Sequence, residues 1–530
     1  MSNLDPKKTD IILAGPGVGK TTELLRRIEE ALAKGVDPEQ IAFFSFSTTA
    51  VNEGLDRITR KTDKYTKTQF KYFKTLHAMA YYLMGFNSKQ VISIGLKFKF
   101  AKEANLKLAP VSDYYNAKRT ATPDDMLLEA IDNARQRNMS IRDYWRINRI
   151  ETVSATYAEQ IAEMYKTFKK TNGVIDFTDM VCIANESKWE PPKFKYMFID
   201  EAQDLSTQQW LLVEKLAKNT DHIVIVGDEK QAIAGYAGAD PDYFLGIKGN
   251  IYTLTQSYRV PANIYKLARK VEKKMIKTRN VLWKPRALEP DETVAGEVIR
   301  IKDLPLREMR LGKWLLLTRT NAQMLEFRSY MIKYCDDVAA PFTIDGQAPV
   351  DLDVFKAINI FEIMAIDPKA SKFDFIEIEK SDSQARTNQK QTFIRMLKKF
   401  MSSSDPYSTK LDPTFLHRFS YVDWFEAFDK LTYPTKKYIA HMLPAFRKNP
   451  NLFKDTNIKL STIHSSKGTE SDNVILLNSL SSTVYKKWEQ EKDTNDDELK
   501  VLFVAITRAR KRLFILGSEN RQYTFGDLLE

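Results

Sequence analysis

A chain of 530 residues is long enough for roughly three or four domains, each with its own hydrophobic core. The net charge of +12 and the pI of about 9.2 favour a polyanionic partner. Only Cys182 and Cys335 are present, far apart, which excludes a disulfide framework, a Cys-rich zinc site and a four-Cys iron–sulfur cluster, and fits a reducing compartment. No apolar run reaches membrane-spanning length and the N-terminus has no signal-peptide core, so no membrane association and a cytoplasmic location are expected. No repeat recurs at a fixed period, and there is no long low-complexity tract.

The first element is Ile11-Ile-Leu-Ala-Gly-Pro-Gly-Val-Gly-Lys-Thr-Thr22. Apolar residues run into a Gly/Pro turn, then Gly19-Lys20-Thr21, then Leu24, Leu25, Ile28, Ala31 and Leu32 at helical spacing. Strand, loop and helix in that order are the context of a phosphate-binding P-loop. Gly15, Gly17 and Gly19 let backbone N–H groups converge on a phosphate at the positive end of the helix dipole. Lys20 is expected to neutralise the β- and γ-phosphates, and the Thr21 hydroxyl to ligate Mg²⁺. The strict pattern begins with Gly, and here that position is Ala14.

Gly35 suits a helix C-terminus, and Ile41-Ala-Phe-Phe-Ser-Phe46 reads as a buried strand, so strand–helix–strand predicts a parallel sheet. Thr75-Leu-His77-Ala precedes an apolar helix. Residues 85–171 are rich in Lys, Arg and Tyr with long helical patterns, and read as a helical insertion. The sheet resumes at Phe194-Lys-Tyr-Met-Phe-Ile-Asp200-Glu201-Ala-Gln-Asp204, an apolar strand ending in carboxylates. In this Walker B arrangement Asp200 holds Mg²⁺ and Glu201 orients and deprotonates the attacking water. A further strand, His222-Ile-Val-Ile-Val-Gly-Asp228, leads to Gln231, whose strand-end amide suits sensing of a γ-phosphate. Leu254-Thr-Gln256-Ser-Tyr258-Arg259 follows.

These stretches, continued by Leu316-Leu-Thr-Arg319-Thr-Asn-Ala-Gln323, Thr462-Ile-His464-Ser-Ser-Lys467-Gly-Thr-Glu470 and Leu502-Phe-Val-Ala-Ile-Thr-Arg508-Ala-Arg510, occur in one collinear order. In that order they resemble the motifs of UvrD/Rep-like superfamily 1 (3′→5′) DNA helicases, and Ala14 matches that family's own P-loop variant. The resemblance implies an α/β fold of two RecA-like P-loop domains with parallel sheets, each carrying a mainly helical insertion. The expected division is 1–84 with 172–275 for the first, ATP-binding RecA-like domain, and 276–362 with 446–530 for the second. The insertions are 85–171 and 363–445.

The resemblance also implies roles. ATP with Mg²⁺ lies in the cleft between the domains, and Thr22 joins Lys20 and Thr21 in holding it. Gln231 and Arg259 touch the γ-phosphate, Tyr258 stacks on the base, and Glu470 lies near the ribose. Arg508 is the arginine finger, which completes the charge clamp only when the cleft closes. Phe46, His77, Tyr236, Arg319, Asn321 and His464 match positions that contact DNA. Aromatic faces there stack on bases of any sequence while cations track phosphates.

The implied activity is that of an ATP-dependent helicase and translocase moving 3′→5′ on single-stranded DNA. Its expected partners are single strands and single/double-strand junctions, and it is expected to act as a monomer in a bacterial or phage-infected cytoplasm. Two alternatives are a translocase that unwinds weakly, removing proteins or acting on RNA, and an ATP-gated DNA-binding switch. Intact Lys20, Glu201 and Arg508 favour a motor.

Three departures from the family pattern are visible. Ala234 and Ala237 flank Tyr236, leaving one aromatic in its motif. Glu498-Leu-Lys-Val501 replaces the usual Glu-Arg-Arg-Leu, and the second insertion has no Gly-Ile-Gly duplex-contact motif. The expected form is compact, without the partner-binding tail and without the upstream Gln that reads adenine, since residues 1–19 contain no Gln. Asn3 and the main chain near Thr9 and Asp10 are the available substitutes, so looser base selectivity is expected.

Overall fold

The computed structural model describes residues 2–529 apart from 63, 110–121, 280, 289–294, 367–398, 400–422, 492–495 and 518–522. For 61, 62, 236, 360 and 363–366 it describes the backbone only. The chain forms two compact units, Met1–Lys302 with Ile463–Glu530, and Asp303–Thr462.

The first unit is built on a parallel sheet of β1 (Thr9–Ala14), β2 (Ile41–Phe44), β3 (Tyr72–Lys74), β4 (Phe194–Ile199), β5 (Thr220–Gly227) and β6 (Asn250–Leu254). Their order is β3-β2-β4-β5-β1-β6. All six residues of β1 and all four of β2 are buried, which requires cover on both faces. Successive side chains alternate between those faces. Ile11 and Leu13 join a core with Met79, Trp210 and Phe244, while Ile12 joins one with Leu24, Ile28, Phe43 and Val224. The second core contains the apolar stripe of α1 (Lys20–Ala33), so the helix that opens at Lys20 is pinned along its length. Gly35, at φ 82°, ends that helix in a left-handed turn, with Val36 N–H donating to Ala31 O at 3.1 Å.

Two further helices matter for the site, α2 (Thr48–Thr62) after β2 and α3 (Leu76–Leu83) after β3. The region 85–171 is helical where described, with helices Ile94–Glu103, Pro123–Gln136, Ile141–Ile147 and Ala155–Thr171. These helices enclose a separate core around Phe100, Leu127, Ile131, Trp145, Ile161 and Phe168. An ion cluster ties them to the sheet domain. Asp176 accepts from Arg135 Nη1 at 2.9 Å and from Lys169 Nζ at 2.5 Å, and also caps the helix Phe177–Glu186. Asp179 pairs with both cations.

After β6 come β7 (Glu297–Ile301) and then the second unit. There β8 (Trp314–Thr318), β9 (Phe342–Ile344) and β10 (Ile458–Thr462) pair in parallel as β8-β10-β9. Its core holds Trp314, Leu316, Phe342, Phe355, Tyr438 and Phe446. Most of the expected 363–445 insertion lies outside the described residues; within it, Trp424–Ala427 is helical and Tyr433–Lys448 begins. The chain returns to the first unit with β11 (Ser471–Leu477) and β12 (Ala509–Leu516), which pair in parallel as β7-β12-β11. The α/β class with parallel strands in two sets is the one expected of RecA-like domains. Among the described residues no helix is long and apolar enough to cross a membrane.

The buried cluster at Asp176 yields a prediction. Burial pushes this carboxyl up, but Arg135 and Lys169 outweigh that and hold it well below the usual carboxylate range. A depressed carboxylate stabilises the fold above its unfolded pKa, near 4, and the contribution fades as pH falls through its folded value. Asp176→Ala leaves the two cations with Asp179 as their remaining shared carboxylate and removes the more buried of the pair, a loss of about 3 kcal/mol. The expected result at pH 7 is a first thermal transition several degrees lower. The same scan at pH 3 should bring the wild type and the variant closer together.

Candidate nucleotide site

The loop between β1 and α1 is shaped by glycines. Gly17 has φ 68° and Gly19 φ 80°, both in the left-handed region that favours glycine. A Cβ on Gly17 would lie 2.4 Å from Arg259 Cβ, so the close approach of the Arg259 segment requires glycine there. That segment is locked on by Tyr258 N–H donating to Gly17 O at 2.8 Å and Ser257 Oγ donating to Pro16 O at 2.8 Å. Trp283 packs against Gly15 on another side of the loop, where a Cβ would meet its ring at 2.8 Å.

β4 delivers the two carboxylates. Asp200 N–H donates to Phe44 O at 2.8 Å, and the buried Asp200 side chain accepts from Thr21 Oγ1 at 2.8 Å and from Glu201 N–H at 2.9 Å. Glu201 adopts φ 49°, an uncommon conformation for a residue with a Cβ. Burial, reinforced by the charge of Glu201, pushes Asp200 up to about 7. Burial also acts on Glu201, but Lys20, Lys467 and a hydrogen bond from Gln203 Nε2 hold it down to about 2. Two adjacent carboxylates thus have opposite leanings, with Glu201 fully ionised.

Gln231, just past β5, donates from Nε2 to Asp228 Oδ2 at 2.6 Å. Its Oε1 accepts from Arg508 Nη2 at 3.0 Å. Arg508 lies between the helix Asp497–Ile506 and β12 and is only 2% exposed. Its Nε donates to Val504 O at 3.0 Å and its Nη1 to Thr469 O at 3.2 Å. Burial, with the like charge of Arg259, lowers it to about 9, so it remains a cation at neutral pH. Arg259 Nε and Arg510 Nη1 both engage Glu470, the latter at 2.6 Å. Lys467 Nζ donates to Asp204 Oδ1 at 2.6 Å and to Gln231 O at 2.7 Å.

These groups line one cavity of about 1200 Å³, which contains Lys20, Thr21, Thr22, Asp200, Glu201, Gln231, Tyr258, Arg259, Glu470 and Arg508. Tyr258 is 69% exposed, leaving its ring face open. Phe46 and His464 line the same cavity. His77 lies apart on α3, half-buried and edge-on to Phe177 at 5.9 Å, and burial lowers its pKa. Arg319 and Asn321 belong to the other unit, at the end of β8 and the start of the helix Asn321–Lys333. Tyr236 lies in the short helical turn Ala234–Ala237, and its side chain is outside the described residues. Asn3 hydrogen-bonds Glu214, and Asp10 takes Arg27, His222 and Asn250, so both side chains are already engaged.

Several charged cavity residues carried no role from sequence. Asp204 and Lys467 form an ion pair between motifs far apart in the chain, and Arg57 and Arg60 reach the cavity from α2. Their motif positions were visible for the first two; the pairing was not.

A P-loop at the carboxyl end of β1, paired carboxylates after β4, a glutamine after β5 and arginines from two later segments define a RecA-like P-loop nucleotide hydrolase. Residues 2–251 match the UvrD/REP helicase N-terminal domain. Nearly the whole chain is similar to three bacterial proteins. It is 23% identical to a probable DNA helicase II homolog of Mycoplasma capricolum, covering 95% of this chain and 81% of that protein. It is 22% identical to the ATP-dependent DNA helicase PcrA of Leuconostoc citreum, with 96% and 80% covered. It is also 22% identical to the enzyme of that name in Bacillus subtilis, with 98% and 83% covered. The similarity to UvrD/Rep-like helicases, through nearly half of the chain by that domain and through nearly all of it by these relatives, supports an ATP-dependent DNA helicase.

The Lys467–Asp204 pair is open to test. Lys467→Met leaves a buried carboxylate beside Glu201 without its cation, and frees the Gln231 carbonyl. DNA-stimulated ATPase assays should show kcat down at least about tenfold, equivalent to ~1.4 kcal/mol, with KM for ATP changed far less. Lys467→Arg should recover part of the rate.

Proposed function

We propose that the enzyme translocates 3′→5′ on single-stranded DNA as a monomer and couples ATP hydrolysis to unwinding. The observation that carries the motor reading is the Arg508–Gln231 hydrogen bond, which puts an arginine from residue 508 against the γ-phosphate-sensing glutamine of the first sheet. Lys20, Arg259 and Arg508 supply the positive charge that a transferring phosphoryl group requires. Glu201, kept ionised, orients the attacking water and accepts its proton, and Gln231 contacts the γ-phosphate. Tyr258 offers a ring to the base and Glu470 a carboxylate near the ribose. When Mg²⁺ is bound it neutralises phosphate charge. The residues fit it, since Thr21 Oγ1 and the buried Asp200 carboxylate are hard oxygen donors 2.8 Å apart.

The strand runs over Phe46, His77, Tyr236 and His464 on one RecA-like domain and its partner segment, and over Arg319 and Asn321. The division 1–84 with 172–275, 85–171, 276–362 with 446–530, and 363–445 is the domain arrangement proposed. Stacking and phosphate tracking give affinity without sequence preference.

Unwinding of duplexes with a 3′ tail, against duplexes with a 5′ tail, tests the direction. The 3′-tailed substrate should be opened with ATP and the 5′-tailed one left intact. Opening of the 5′-tailed substrate alone would overturn the polarity. DNA-stimulated hydrolysis with neither duplex opened would favour the translocase that unwinds weakly.

A further inference from the structure

The outer edge of the first sheet carries features that the nucleotide site and the expected DNA contacts leave unexplained. Residues 57–74 contain seven Lys or Arg and one acidic residue, Asp63. β3, within this stretch, is the edge strand of its sheet. Lys71 Nζ lies 5.5 Å from the centre of the Tyr72 ring and 5.8 Å from that of Tyr82, and Lys74 Nζ lies 5.4 Å from Tyr82. Two ammonium groups therefore flank one ring. Among the described residues neither lysine is ion-paired with a carboxylate.

That ring is both open and anchored. Tyr82 is 44% exposed. It meets Tyr72 edge-on at 6.2 Å, and Tyr72 meets the fully buried Phe194 at 5.0 Å, so the platform is braced against the core. Lys74 ends β3, and three residues on is His77, an expected DNA contact.

We propose that Lys71, Lys74 and Tyr82 form an additional single-strand DNA subsite, extending along the β3 edge the path that passes His77. This rests on the single-strand path given under Proposed function. Tyr82 stacks on a base and the two lysines take the flanking phosphates. A single strand fits because its bases present free π-faces, whereas bases in a duplex are already stacked. Lysines on an edge strand also serve to block pairing with another chain, and that role requires no ring between them.

The test compares ATPase activation and binding by poly-dT oligonucleotides of about 8 and about 20 residues, lengths within and above the roughly 4–16 nucleotides of a typical single-strand site. Tyr82→Ala should weaken binding of the longer oligonucleotide about five- to a hundredfold while activation by the shorter one stays as in wild type. Tyr82→Phe should retain the affinity. Lys71→Ser with Lys74→Ser should lower the slope of log affinity against log salt by about 1.4 for the longer oligonucleotide, two phosphates at about 0.7 each. Unchanged affinity for the longer oligonucleotide in all variants, with or without aggregation, overturns the subsite and leaves the lysines as edge guards. Equal losses on both lengths also overturn it, because the residues then act through the fold. Loss of all DNA activation in the wild type would instead count against the proposed motor itself.

Discussion

A buried cation holds the site together. Arg508 is almost wholly removed from water, where an isolated charge is costly, and that cost is offset by the carbonyls of Val504 and Thr469 and by the amide oxygen of Gln231. Only the last of these partners belongs to the first sheet. The guanidinium is thus fixed by its own segment and aimed at the end of β5. Lys467 makes a second bridge of the same kind, from the segment before β11 to Asp204 and the Gln231 carbonyl. Any change that moves residues 463–510 relative to the P-loop sheet is felt at Gln231 and at the carboxylates beside it.

The rest of the fold can be read as what this convergence requires. Parallel strands bring the ends of β1, β4, β5 and β6 to one side of the sheet, where the phosphate loop, the carboxylates, the glutamine and the Tyr258–Arg259 pair all emerge. Gly17 lets the Arg259 segment lie directly on the loop. The helices of 85–171 keep their own core and attach to the sheet domain through Asp176 and through Arg137, which donates to Ala239 O. Charge is distributed to match: cations ring the cavity, and the carboxylates Asp204 and Glu470 hold three of them in place.

Much of this was legible in the sequence because the relevant signals are local. Apolar runs ending in Gly-Lys-Thr, Asp-Glu or Gly-Asp define both a strand and the group at its end, and the structure has strands at those positions. The helical character of 85–171 followed from periodicity alone. What could not be read were contacts between distant segments. Lys467 has no local reason to seek Asp204, and Glu470, expected near a ribose, is also held between Arg259 and Arg510. The left-handed turn at Glu201 and the opposite leanings of Asp200 and Glu201 depend on burial and on Lys20 and Lys467 together. The Lys71–Tyr82–Lys74 platform likewise needed β3 at the sheet edge, which only topology supplies.

Arg508 is where the central claim is most exposed, and single-strand-stimulated ATP hydrolysis by Arg508→Ala and Arg508→Lys is the measurement that tests it. An arginine finger contributes on the order of 10³–10⁵ to the rate, and lysine cannot reproduce its forked donors. Both variants should bind nucleotide and DNA yet lose at least about a thousandfold in kcat. Hydrolysis within a few-fold of wild type in Arg508→Ala would contradict the claim, leaving the Arg508–Gln231 contact as a structural bond.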